Sequence, residues 1–128
     1  MPETVVDSSI IIDYLRGRSE ATRFLDTLRS AGDLGTHVVV VAEVLGGARD
    51  GREQNAIERL FLEFRVLTVD GLDSTRSLEL FRRYRLSHGV GWLDCLIAAT
   101  CLRRGLPIAT LNDRHFSVFH DLRAFRPY

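Results

Sequence analysis

Apolar positions follow two alternating patterns along the chain. Short runs rich in β-branched residues stop at polar side chains, as expected of buried strands. Between them lie longer segments in which apolar residues recur every three or four positions, which is typical of helices with one buried face. Strands are predicted at Thr4–Val6, Leu34–His37, Val66–Val69 and Ile108–Leu111, with a last one at Leu122–Phe125.

The helical segments begin and end at residues that favour helix termini. Ser8 or Ser9 is expected to cap the first helix, Ile10–Arg16, and Asp73 is expected to cap the fifth. The segment Asn112–Phe116 is predicted to be a loop. The remaining helices are predicted at Ser19–Ser30, Val38–Arg49, Arg52–Phe64 and Leu93–Arg104.

The alternation of strands and helices predicts the fold class. It indicates an α/β domain with a mostly parallel sheet of four to five strands and helices on both faces. No stretch rich in Pro, Gly or Ser divides the chain, so residues 1–128 are expected to form a single domain. In such sheets the active site lies beyond the carboxyl ends of the strands.

Composition narrows the possible chemistry. The 128 residues include 17 acidic and 17 basic side chains, so the formal net charge is zero and a uniformly basic surface is excluded. All of the basic residues are arginine. The absence of lysine excludes Schiff-base enzymes, P-loop NTPases and other sites that need an ammonium group.

Several features suggest a cytoplasmic protein. Cys95 and Cys101 are six residues apart in a predicted helix and therefore lie on different faces, which favours free thiols in a reducing compartment. The N-terminal residues lack the basic and apolar regions of a signal peptide. No apolar run approaches the ~18 residues of a membrane span.

Acidic residues occupy positions where carboxylates are unusual. Asp7 follows the first predicted strand, and Asp113 lies just after the Ile108–Leu111 strand, so both are expected at the same edge of the sheet. Glu43 lies in the apolar stretch VVVVAEVLGGA and Asp94 in GWLDCLIAAT. A carboxylate in such surroundings is costly unless it meets a cation, a donor or a proton.

Each of these acids has an ordinary structural explanation when it is taken alone. Asp94 and Asp7 suit helix or turn caps, Glu43 suits an arginine partner, and Asp113 suits a solvated loop. Together, however, three or four carboxylates in one crevice repel one another and favour a bound cation. Ligand oxygens without Cys or His suit Mg²⁺ or Mn²⁺, the ions of phosphodiester hydrolysis.

Four segments, in this order and spacing, resemble a known family. VVDSSIIIDYLRG, AEVLGGAR, GVGWLDCLIAAT and LPIATLNDRHF are similar to PIN-domain ribonucleases, and most of all to the VapC toxins of bacterial toxin–antitoxin pairs. The resemblance covers nearly the whole chain. It implies a Rossmann-like sheet and a Mg²⁺- or Mn²⁺-dependent endoribonuclease in which Asp7, Glu43 and Asp94 form the acidic site.

The resemblance also assigns roles to individual residues. It implies that Asp7 and Asp94 bind the metal directly and that Glu43 does so directly or through water. Small hydroxyl positions that orient the carboxylates match Thr110 and either of two serines, Ser8 and Ser9. The family's fourth acid corresponds to Asn112 in this chain, with Asp113 one residue later; either one could occupy that place.

The family further implies a reaction and partners. Water would attack a backbone phosphate and leave a 5′-phosphate and a 3′-hydroxyl, with Arg82, Arg83 and Arg114 contacting substrate phosphates. The RNA could be tRNA, rRNA or mRNA. The expected protein partners are a small VapB-like antitoxin and a second copy of the chain. The four histidines lack the spacing of a zinc site.

Two other functions fit the same residues. One is a PIN-domain nuclease of RNA processing without a toxin role. The other is a non-catalytic module whose acidic crevice binds a metal or a basic peptide. Metal-dependent RNA cleavage by the purified protein would distinguish either nuclease from the binding module.

Overall fold

The computed structural model describes residues 3–128 and contains one five-stranded parallel sheet in this range. Its strands run in the order β3-β2-β1-β4-β5, and every neighbouring pair is parallel. The predicted strands are present, although the last three are shorter than expected and β3 begins one residue earlier. Their bounds are β1 Thr4–Val6, β2 Leu34–His37, β3 Arg65–Leu67, β4 Ile108–Ala109 and β5 Ala124–Phe125.

Seven helices connect or follow these strands within the described range. The predicted loop at Asn112–Phe116 is wrong, because residues 113–116 form one helical turn that is too short to show a periodic apolar pattern. The helices are α1 Ser8–Leu15, α2 Ser19–Ala31, α3 Val38–Gly46, α4 Gly51–Phe61, α5 Gly71–His88, α6 Trp92–Arg104 and α7 Asp113–Phe116.

The order of the strands reverses at β1. The chain proceeds outward from β1 through β2 to β3 and then returns past β1 to β4. Because crossovers between parallel strands are right-handed, α1 to α4 cover one face of the sheet while α5 and α6 cover the other. The predicted α/β fold is therefore confirmed, and the β1–β4 boundary is the switch point where such sheets form a crevice.

The start of α5 corrects a predicted cap. The N-cap is Asp70, whose Oδ1 accepts a hydrogen bond from the Asp73 N–H at 2.9 Å, while Asp73 Oδ2 accepts one from the Asp70 N–H at 3.2 Å. Asp73 is therefore the inner member of a capping box and not the cap itself. Likewise, Asp7 occupies the N-cap position of α1, and Ser8 and Ser9 lie inside its first turn.

The core is centred on β1, β4 and α6. Val5, Val6, Ile108 and Ala109 are fully buried, and α6 is buried from Cys95 to Cys101. Both cysteines are free, as predicted. Within residues 3–128, no helix combines the length and apolar character needed to cross a membrane.

Candidate active site at the carboxyl edge of the sheet

Asp7 is the buried centre of a hydrogen-bonded cluster at the β1–β4 boundary. Its Oδ2 accepts hydrogen bonds from Thr110 Oγ1 at 2.6 Å and from Ser9 Oγ at 3.3 Å. The two hydroxyls accept in turn from the N–H groups of Asn112 (2.9 Å) and Leu111 (3.1 Å). The chain after β4 is thereby fixed against Asp7, and the structure shows no hydrogen bond to Asp7 Oδ1 from residues 3–128.

Ser9 and Thr110 are the hydroxyl residues that contact the carboxylate. Ser8 is half-buried, and no hydrogen bond of its side chain is found within the described part of the chain. The choice between the two serines that the sequence left open is therefore answered in favour of Ser9, because α1 turns the second residue after Asp7 back toward it.

Glu43 approaches this cluster from α3. The helix begins directly after β2, so its second turn lies above the same edge of the sheet. Partial burial raises the pKa of Glu43, and the negative charges of Asp7 and Asp94 raise it further. The three carboxylates are thus close enough to repel one another.

Asp94 approaches from the first turn of α6, where it is half-buried. Burial raises the pKa of Asp94, the charge of His115 lowers it, and the charge of Asp7 raises it again. The result is a carboxyl pKa above its usual range. Asp94 and Glu43 therefore share an excess of negative charge with Asp7.

Asn112 and Asp113 lie at the rim of the crevice. Asn112 has an exposed side chain, and Asp113 is the half-buried first residue of α7. They line a small cavity of about 300 Å³ together with Arg114 and His115. The charges that shift the carboxyl pKa of Glu43 and Asp94 include Asp7 but not Asp113.

The donor set is compatible with a hard divalent cation. Within residues 3–128, no three His, Cys, Asp or Glu side chains are gathered tightly enough to form a complete metal site of protein ligands alone. Mg²⁺, however, commonly keeps several waters and binds one or two carboxylates. Asp7 offers Oδ1, and the mutual repulsion of the carboxylates is relieved by a positive charge.

A second cavity beside the site was not predicted from the sequence. It has a volume of about 360 Å³ and is lined by side chains of α5 and of the segment around α7, among them His88, Arg114, His115 and His120. The histidines belong to two segments that are more than twenty residues apart in the sequence. No spacing rule along the chain could have brought them together.

A polar cluster between α5 and α6 was also not predicted. Arg103 Nε donates to Asp73 Oδ1 at 2.6 Å, and Thr100 Oγ1 donates to Asp73 Oδ2 at 3.0 Å. His37 Nε2 lies 2.9 Å from Thr100 Oγ1, and His37 Nδ1 accepts from the Val39 N–H at 3.1 Å. This cluster links the start of α3 to α5 and α6.

Curated relatives share most of the length of this chain. Ribonuclease VapC10 of Mycobacterium tuberculosis is 40% identical over 120 residues, which cover 93% of this chain and 90% of the relative. Ribonuclease VapC19 of the same organism is 37% identical over 122 residues, covering 93% and 96%.

Solved structures share the fold. The DNA-bound VapBC structure from Salmonella typhimurium superposes with a TM-score of 0.82 at 20% identity and covers both chains completely. A toxin–antitoxin complex from Klebsiella pneumoniae has a TM-score of 0.80 at 22% identity and covers 98% of each chain. The PIN domain family matches residues 4–121. The chain therefore belongs to the PIN-domain family and, within it, to the VapC ribonucleases.

Proposed function

We propose that this VapC ribonuclease is the toxin of a toxin–antitoxin pair and hydrolyses RNA phosphodiester bonds at the crevice formed by Asp7, Glu43 and Asp94. The observation that carries the proposal is the convergence of three carboxylates, from the end of β1, from α3 and from α6. Burial raises the carboxyl pKa of Glu43 and Asp94, and the charge of Asp7 raises both further. Acids that only capped helices would lie apart. Acids that repel one another across a crevice are suited to a cation and a phosphate.

Asp7 and Asp94 would hold Mg²⁺ or Mn²⁺, with Glu43 bound directly or through water. Thr110 and Ser9 orient Asp7 by donating to Oδ2, which leaves Oδ1 for the ion. When bound, the ion supplies a water of lowered pKa and stabilises charge on the departing oxygen. Glu43 is the least buried of the three carboxylates, so it can accept a proton from an attacking water.

The rim residues complete the proposed site. Asp113 and Asn112 line the smaller cavity at the rim of the crevice, where either can hold a water or a substrate group. Arg82, Arg83 and Arg114 are exposed and make no ion pair within residues 3–128, so their guanidinium groups are available for phosphates.

A small VapB-like antitoxin is the proposed protein partner. The toxin–antitoxin complexes that share this fold support that assignment. A homodimer is also proposed, but the large apolar residues of α1 and α4 give it little support. Most of them, including Ile10, Ile11, Leu60 and Phe61, pack into the chain's own core. The buried free cysteines fit a reducing cytoplasm.

The test is RNA cleavage by the purified protein and growth of cells that express it. Wild-type protein is expected to cleave RNA with Mg²⁺ or Mn²⁺, to lose cleavage in EDTA and to arrest growth. Asp94→Asn should abolish both effects, whereas Asp26→Asn, which alters an exposed acid on α2, should retain both. Cleavage in EDTA, or full activity of Asp94→Asn, would contradict the proposed chemistry. Cleavage without growth arrest would contradict the toxin role.

A further inference from the structure

The 360 Å³ cavity between the end of α5 and α7 has the dimensions of a small-ligand site. Its walls combine flat aromatic and imidazole rings with one arginine. The lining side chains include Tyr84, His88, Arg114, His115, Val118 and His120, and none of the residues that line it is acidic.

The stretch of α5 that contributes to this cavity is basic although the chain as a whole is neutral. No Asp or Glu occurs between residues 80 and 93, whereas Arg82, Arg83 and Arg85 are exposed on α5 in the same stretch. Arg114 forms no ion pair within residues 3–128, so its charge is not neutralised by a neighbouring carboxylate. The ligand that fits these walls is an anion.

The cavity adjoins the rim of the carboxylate site. Arg114 and His115 form one of its walls and at the same time line the smaller cavity that contains Asn112 and Asp113. The charge of His115 also acts on Asp94 across this boundary. A polymer that places one phosphate at the carboxylates would therefore bring its next unit to the cavity.

The flat side chains indicate what that unit is. The Tyr84 ring packs edge-on against Phe119 and His88, with 5.8 Å between ring centroids in each case, so its position is fixed by the core. Aromatic and imidazole faces next to cations bind unpaired bases with their phosphates. A base inside a duplex is stacked and paired and cannot enter such a cavity.

We propose that the cavity lined by Tyr84, His88, Arg114 and His120 binds one unpaired RNA nucleotide next to the phosphodiester that is cleaved. The proposal rests on the ribonuclease function proposed above and adds a subsite to it. The subsite contacts the base of that nucleotide, which must be unstacked to reach it.

The first test measures binding without cleavage. In an Asp94→Asn background, a short fluorescein-labelled single-stranded RNA is titrated and followed by fluorescence anisotropy. His88→Ala combined with His120→Ala alters two exposed side chains and should weaken binding roughly five-fold or more. Arg104→Ala, an exposed cation at the C-terminal end of α6, should leave the Kd unchanged. Arg114→Gln provides an independent variant if the double variant proves unstable by thermal unfolding.

The second test asks whether the cavity recognises a base. In the wild-type protein, an RNA with an abasic nucleotide beside the cleavage position should show a higher KM than the intact RNA, with kcat little changed. The His88→Ala and His120→Ala protein should lose this difference.

The outcomes separate this proposal from the ribonuclease proposal. Equal Kd values for the variants and the control, or a penalty for the abasic position that persists in the variants, would overturn the subsite while cleavage stands. Binding of inorganic phosphate without any response to abasic positions would reduce the cavity to an anion site and also overturn the proposal. If the wild type does not cleave RNA, the ribonuclease proposal fails and the anisotropy result still decides whether the cavity binds RNA.

Discussion

Two carboxylates at opposite ends of α6 are both removed from water, but their pKa values are shifted in opposite directions. Near the N-terminus of the helix, burial and the charge of Asp7 hold the pKa of Asp94 above its usual range. Near the C-terminus, Asp73 is almost completely buried. Burial pushes the pKa of Asp73 upward, but hydrogen bonds from Arg103, the Asp70 N–H and Thr100 more than offset this and lower it.

The comparison shows that partners, and not burial alone, distinguish the two acids. Asp73 has a guanidinium group and several hydrogen-bond donors, so its negative charge is compensated within the chain. Asp94 faces Asp7 and Glu43, so its charge is compensated only by something from outside. An acid whose charge is neutralised by partners in the chain has a structural role. An acid without such partners is available to bind a cation and to take part in a reaction.

The most direct test of the difference between Asp94 and Asp73 is to remove the charge of Asp94. Asp94→Asn is expected to lower RNA cleavage at least about 100-fold, because the proposed ion loses a ligand that acts on the reacting phosphate. The same variant should unfold at no lower temperature than the wild type. Single-turnover cleavage and thermal unfolding in parallel check both parts. If the variant lost much stability while cleavage per folded molecule stayed unchanged, Asp94 would have a structural role and not a catalytic one.

The buried cluster of Asp73, Arg103, Thr100 and His37 should make the stability of the fold depend on pH. Burial lowers the pKa of His37 from 6.5 to about 4, although the charge of Asp73 opposes the shift. The unfolded chain therefore takes up a proton on this histidine below about pH 6.5, while the folded chain does so only near pH 4. Stability should fall as the pH drops through that interval, by at most about 1.4 kcal/mol per pH unit.

His37→Asn is the variant that tests this pH effect. Asn can still accept the hydrogen bond that His37 Nδ1 accepts at the start of α3, and it does not titrate. Urea unfolding of both proteins between pH 4 and 7 should give a sloping curve for the wild type and a flatter one for the variant. Parallel curves would show that His37 takes up its proton in the folded state as easily as in the unfolded chain.

The sequence alone predicted the acids of the site better than the compensated cluster. Asp7 directly follows a predicted strand, and Asp94 interrupts an apolar run, so position and cost of burial both pointed to these acids. Thr110 was assigned only through the resemblance to PIN-domain ribonucleases. Asp73 was assigned as a cap because an acid before a helical pattern usually is one. Its pairing with Arg103 depends on how α5 packs on α6, which no local pattern records.

The same limit applies to the rim of the site. The four-residue helix α7 is stabilised by contacts such as the His115 N–H to Asn112 carbonyl bond of 2.9 Å, and four residues do not show a helical period. The cavity beside it is formed by segments that meet only in the folded chain. Acids near the ends of strands can therefore be predicted from the sequence, but the surfaces that meet beside them cannot.

A smaller effect should follow from breaking the link between His37 and Asp73. Thr100 is fully buried, and its hydroxyl contacts both residues. Thr100→Val keeps the shape but leaves both partners one hydrogen bond short, which should cost about 1–3 kcal/mol of unfolding free energy. Thr27→Val, on the exposed surface of α2, should change stability by no more than about 0.5 kcal/mol. Equal effects in urea unfolding would mean that the cluster contributes nothing beyond a surface hydroxyl.

The smallest effect concerns the stability of the site without metal. A raised carboxyl pKa means that the folded chain holds the proton more tightly than the unfolded chain, so ionised Asp94 and Glu43 destabilise the fold above that pKa. In EDTA at pH 7, Asp94→Asn should therefore be slightly more stable than the wild type, and the difference should vanish as the pH falls through the carboxyl pKa. Mg²⁺ should stabilise the wild type more than the variant, by mass action on the folded state. Thermal unfolding with and without Mg²⁺ measures both shifts, and a variant that is less stable than the wild type in EDTA would mean that the three carboxylates do not repel one another.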